Sequence, residues 1–229
     1  MASQRRDILA PGQIYHVFNR SVERRTIFIS KREYARMMDI VTYYQYAHRS
    51  IRYSQFLSLP EPSQNDIREW YIKKGEKEID MYAYALMPNH IHFLLRQNTQ
   101  KGITTFLSNL SNSYAKFFNI RHKRTGALWQ RPFKAVRIET EEQLWHVSRY
   151  IHLNPVSSYV IELDKLDTYP WTSFPEYIGM NGNKLCDRSM IQSSFKTPEA
   201  YRAFVHNHAD YARTLEQIKH CSIDREEWV

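Results

Sequence analysis

Acidic residues are missing from one long stretch of this sequence. Between Met81 and Ile138 there is neither Asp nor Glu, where 24 acids spread evenly over 229 residues would place about six. Cysteine is almost absent as well. Cys186 and Cys221 are the only two, which excludes a disulfide framework and a cysteine-based metal knuckle. No run approaches the ~18 apolar residues of a membrane-crossing helix, so no membrane partner is expected. Six glycines and nine prolines exclude a collagen-like or low-complexity chain. The opening residues, MASQRRDILAPGQ, lack the apolar core of a secretory leader, and the expected compartment is the cytoplasm.

What remains is a chain with ample core-forming material, 42% hydrophobic and 14% aromatic, and a net charge of +8. The acid-free stretch carries Lys116, Arg121, Lys123, Arg124, Arg131, Lys134 and Arg137. A basic block without carboxylates attracts phosphates, so these seven are candidate nucleic-acid contacts. The plainer alternative is a solvated basic surface.

Hydrophobic periodicity orders the elements. Residues 14–18 read as a first strand, ending at Asn19 and Arg20. Ser30 followed by Glu33 has capping-box spacing and predicts a helix over about 31–47. Residues 49–78 are irregular, contain Pro60 and Pro62, and read as an insertion holding a short helix over about 66–73. Two strands, 79–86 and 90–96, flank a Met87-Pro88-Asn89 turn. Ile103, Phe106, Leu107, Leu110, Tyr114 and Phe117 form the apolar stripe of a helix over 103–121, and Asn109, Asn112, Lys116 and Asn119 form a polar one. Residues 127–138 read as a fourth strand or hairpin, interrupted at Pro132. Thr140 and Gln143 again have capping-box spacing, and the helix they begin is expected to stop at Pro155.

The order β-α-β-β-α-β predicts an α+β fold: a ferredoxin-like split βαβ with a four-stranded antiparallel sheet. The expected domain spans residues 1–180, with the insertion at about 49–78. A C-terminal helical appendage is expected over 181–229, with helix starts near Ser189 and Thr197.

His90 and His92 stand two apart on the third predicted strand. Strand alternation sends both imidazoles out of one face, where they can share a metal ion. Tyr150 and Asn154 are four apart on the last helix and share a helical face. A phenol titrates near ~10 and needs activation before it attacks. An amide oxygen can complete a site that two histidines begin. His146, one turn before Tyr150, competes as a third ligand or a base. Trp129, Phe133 and Tyr114 are candidates for base stacking, against core packing as the commoner role.

Three segments carry a family resemblance. They are Tyr84-Ala85-Leu86-Met87-Pro88-Asn89-His90-Ile91-His92-Phe93-Leu94-Leu95, then Leu128-Trp129-Gln130-Arg131-Pro132-Phe133, then Arg149-Tyr150-Ile151-His152-Leu153-Asn154-Pro155-Val156. Together with Tyr169-Pro170-Trp171-Thr172-Ser173-Phe174 they resemble the single-tyrosine transposases of the His-hydrophobe-His (HUH) class, and among them the REP-associated tyrosine transposases. The resemblance covers roughly residues 14–179. It implies that Tyr150 is the nucleophile and that His90, His92 and Asn154 are ligands of a divalent metal, Mg²⁺ or Mn²⁺. It also implies single-stranded or hairpin DNA as partner, a 5′-phosphotyrosine intermediate, no nucleotide cofactor, and a monomer or homodimer. A domesticated member acting on host repeats, a replication initiator or relaxase of the same chemistry, and a non-catalytic nucleic-acid-binding module are the competing expectations.

Overall fold

The computed structural model of the chain describes residues 8–180 and 185–209. Cys221 and the parts of the expected appendage at 181–184 and 210–229 lie outside the described residues, as do the first seven residues. Four strands, β1 (Ile14–Arg20), β2 (Ile79–Met87), β3 (His90–Gln97) and β4 (Lys134–Ile138), form one sheet in the order β2-β3-β1-β4. That order, with hairpin-linked β2 and β3 and helices between the other strands, is the antiparallel ferredoxin-like arrangement. The β1–β3 register is set at both ends. Gly12 N donates to Gln97 O at 2.7 Å, and Ser21 N donates to Asn89 O at 2.9 Å.

The helices are α1 (Lys31–Tyr44), α2 (Tyr53–Phe56), α3 (Glu61–Lys74), α4 (Gly102–Arg121), α5 (Glu141–Ser157), α6 (Phe174–Tyr177), α7 (Ser189–Gln192) and α8 (Pro198–His206). The capping box at Ser30 forms as the spacing predicts, with Glu33 Oε2 accepting from Ser30 N at 2.9 Å. At α5 only half of it forms. Thr140 Oγ1 accepts from Gln143 N at 3.1 Å, but Gln143 reaches back to Glu139 N at 2.8 Å. Residues 49–78 hold two helices, and α3 starts at Glu61, earlier than expected, and ends on Gly75 in the left-handed region at φ 67°.

Two expectations are corrected. The fourth strand is shorter than residues 127–138. Only 134–138 pair continuously, and Trp129 makes a single bridge to Ser21. The helix expected to stop at Pro155 continues to Ser157. Proline removes one hydrogen bond from a helix interior. Here residues 151–157 are all buried, and Ser158 N donates to Asn154 O at 3.0 Å and Val160 N to Pro155 O at 2.9 Å, which holds the turn.

The described residues fall into two compact units. The first holds residues 8–80, 88–90 and 95–137, and the second holds 81–87, 91–94, 138–180 and 185–209. In the first, α1 packs on α4. The buried stripe of α4 is Ile103, Phe106, Leu107, Leu110, Tyr114 and Phe118, so Phe118 takes the core position expected of Phe117. Tyr114 donates its hydroxyl to Ile27 O at 2.6 Å. In the second unit, α5 packs with α8 and with the 3₁₀ turn Leu163–Thr168. Residues 171–173 line the edge of β2: Leu86 N donates to Trp171 O at 2.8 Å, and Ser173 N donates to Tyr84 O at 3.0 Å.

Candidate active site

The second unit brings His92, Tyr150 and Asn154 together. His92 lies on β3 and is buried. The ring of Tyr150 meets it edge-on, with centroids 5.6 Å apart and planes at 87°. The amide of Asn154 lies 3.4 Å from His92 Nε2. Because α5 runs unbroken through Pro155, Tyr150 and Asn154 stay four residues apart on one helical face, and both reach the same imidazole. Tyr150 is 36% exposed, so its phenol is open to solvent, whereas Asn154 is buried.

His90 stands two residues earlier on β3 and is half-buried. Its Nδ1 lies 2.6 Å from Asn89 Oδ1, while Asn89 Nδ2 donates to Arg24 O at 3.1 Å. Asn89 thus fixes which ring nitrogen of His90 faces outward. Sequence reasoning passed over it. A short amide immediately before the first histidine is the signal that marks it.

His146, the competing ligand, is not part of this cluster. Its Nδ1 is 2.7 Å from Arg149 Nη2, and its ring lies 6.1 Å from that of Phe204. His152 is fully buried between Ser173 Oγ and the Tyr201 hydroxyl, each at 2.8 Å, and burial pushes its pKa down to about 3. A neutral histidine on two hydrogen bonds is an anchor: it ties α5 to residue 173 and to α8.

The donors suit a divalent cation. Within the second unit the imidazole of His92 and the amide of Asn154 form a borderline pair, and half-rotation of the Asn154 amide presents Oδ1 toward His92. Among the described residues no group of three or more His, Cys, Asp or Glu is placed to hold a metal.

The basic candidates divide by what they touch. Arg121 donates from Nε to the buried Glu33 at 2.7 Å. Burial would raise the Glu33 carboxyl, but hydrogen bonds from Ser30 and Arg121 outweigh it and hold it at about 2. Arg124 braces the turn after α4, donating to Asn119 Oδ1 at 2.6 Å and to Ala127 O at 3.2 Å. Lys123 is exposed in that turn, at φ 49°. Arg131 and Lys134 are exposed, and Arg137 is exposed with Nη2 donating to Gln13 Oε1 at 2.7 Å. Lys116 lines a cavity with Arg36 and Arg52. Trp129 and Tyr114 are buried and Phe133 half-buried, so the first two pack as core.

Residues 63–154 match the family model described as Transposase IS200 like, a stretch that takes in His90, His92, Tyr150 and Asn154. No curated protein matches the chain. Among solved structures the fold is similar to a REP-associated tyrosine transposase bound to a REP hairpin, with a TM-score of 0.54 and 13% identity over 81% of this chain and 98% of that one. A putative transposase from Deinococcus radiodurans R1 aligns with a TM-score of 0.35 and 16% identity, over 66% of this chain and 95% of that one.

Proposed function

We propose that this chain, whose residues 63–154 match the IS200-like transposases, cuts and rejoins single-stranded DNA through a covalent bond to Tyr150. One observation carries the reading: an exposed phenol and a buried amide, both on α5, converge on the imidazole of His92. Tyr150 Oη gives up its proton to water and attacks the scissile phosphorus, the bond to the 3′ oxygen breaks, and that oxygen leaves as a hydroxyl after taking a proton from water. One phosphoester replaces another, so no nucleotide cofactor is consumed. The 3′ hydroxyl, or one on another strand, reverses the step and joins DNA.

His90, His92 and Asn154 would hold the metal, Mg²⁺ or Mn²⁺, which when bound polarises a non-bridging phosphate oxygen. Nitrogen donors favour Mn²⁺ of the two. Asn89 keeps the His90 ring in one orientation. Lys123, Arg131, Lys134 and Arg137 hold the DNA backbone, while Arg121 and Arg124 brace the fold beside them. The relative held on a REP hairpin supports hairpin DNA as substrate, and the cytoplasm is the proposed compartment.

The test is a covalent adduct on a denaturing gel, formed from single-stranded hairpin DNA and Mn²⁺. Tyr150→Phe keeps the ring against His92 and removes only the nucleophile. It is expected to lower the adduct by about 10³-fold or more while shifting stability by less than about 0.5 kcal/mol. Chelating the metal should have the same effect on the adduct. An adduct that survives Tyr150→Phe overturns the assignment of the nucleophile. Binding without any adduct across varied hairpins leaves a DNA-binding module.

A further inference from the structure

A cavity of about 500 Å³ opens in the first unit between α1, α2 and α4. The volume is that of a site for a nucleotide-sized ligand, within about 300–1,000 Å³. One wall is a single face of α4, its residues at 109, 112, 113, 116, 117 and 120 spaced as neighbouring turns of a helix. This is the polar stripe legible in the sequence. The other wall comes from α1 and from the segment around α2.

Three cations line the cavity, Arg36, Arg52 and Lys116, and no carboxylate does. The acid in electrostatic reach of Arg36 is Asp39, and it lines a neighbouring cavity instead. Among the described residues neither Arg52 nor Lys116 forms an ion pair, so the charges gathered here repel one another until an anion enters. The Arg36 guanidinium sits 4.9 Å from the Phe117 ring and 5.6 Å from the Tyr53 ring. These contacts, with a hydrogen bond to Tyr53, hold the guanidinium at the cavity wall, where its charge can meet a phosphate. Phe117 is half-buried, which is why it left the core stripe to Phe118, and the exposed amide of Asn112 stands one turn before Lys116.

We propose that this cavity seats about one or two nucleotides of single-stranded DNA. Arg36, Arg52 and Lys116 take the phosphates, Phe117 stacks on a base, and Asn112 reads the base edge. The choice of DNA over other phosphate-bearing ligands rests on the reading of the chain as a DNA-processing enzyme. The cavity itself does not.

The test uses the full chain and a fluorescent twelve-nucleotide oligothymidylate, with binding followed by anisotropy across a salt series. Arg52 and Asn112 are exposed, so Arg52→Glu and Asn112→Leu should fold, which thermal melting checks. Arg52→Glu should weaken binding by about tenfold and flatten log K against log salt by about 0.7 for each phosphate no longer neutralised. Asn112→Leu should change the preference among oligo-dT, oligo-dC and oligo-dA. Unchanged affinity and slope in Arg52→Glu overturn the proposal. Equal binding of free dTMP overturns the strand and makes this a mononucleotide site. Adduct formation at Tyr150 is scored in the same samples. An adduct without Arg52-dependent binding removes the cavity proposal alone, and Arg52-dependent binding without an adduct removes the catalytic reading alone.

Discussion

Arg121 has an address that its own neighbourhood in the sequence does not disclose. It donates to Glu33, 88 positions away, and Glu33 is buried with a carboxyl held at about 2. Taking the guanidinium away leaves that charge in the interior with only Ser30 and His122 beside it. Arg121→Ala is therefore expected to cost about 2 kcal/mol, a figure reduced from the usual cost of breaking a buried pair because the Arg side chain is 34% exposed. The shift of the urea midpoint measures it. Lys134→Ala, at an exposed position, should leave that midpoint in place. Charge alone made these two residues equivalent in the sequence. Motif and spacing predicted a strand position for His92 and a shared helical face for Tyr150 and Asn154, because strand alternation and the helical turn are local rules. His146 has local partners in Arg149 and Glu142 on α5, and only its contact with Phe204 depends on α8 folding onto α5.

The helices show where local rules stop. The order of strands, the hairpin at Pro88-Asn89 and the start of α1 follow from periodicity and capping. The length of α5 does not, because Pro155 acts against helix locally and burial of residues 151–157 overrides it. Gly102 is a second tertiary constraint. A Cβ at that position would lie 2.3 Å from the carbonyl oxygen of Glu78, a backbone atom that cannot rotate away. Gly102→Ala should force the start of α4 away from residue 78 and cost about 2–3 kcal/mol, read from chemical denaturation. α5 has its own anchor in His152. Unfolded, a histidine takes up a proton near 6.5, whereas in the fold it stays neutral down to about 3. In that interval the unfolded state binds more protons, so stability falls as pH drops. Between pH 7 and pH 4.5 the loss should be on the order of 2–3 kcal/mol. Urea midpoints across that range measure it, and His152→Gln should flatten the slope.

For the whole chain, the net charge of +8 and the acid-free stretch from Met81 to Ile138 predicted an anionic partner but not which surface meets it. The fold gathers cations in two separate groups, one around the turn after α4 and β4, the other in the cavity between α1, α2 and α4. Residues 49–78, which make one wall of this cavity, read as irregular in the sequence, since α3 buries only Tyr71 and carries little pattern. Among the described residues no helix is long and apolar enough to cross a membrane. The helix carrying Tyr150 has a further consequence. His92, Tyr150 and Asn154 meet within a single copy of the chain, and α5 is tied to that copy's own β2 edge and α8 through His152. Under the proposed function, a Tyr150 seated in this way acts within its own copy. Mixing two inactive proteins, His92→Ala and Tyr150→Phe, should therefore restore no adduct, whereas a tyrosine helix exchanged between subunits would restore part of it.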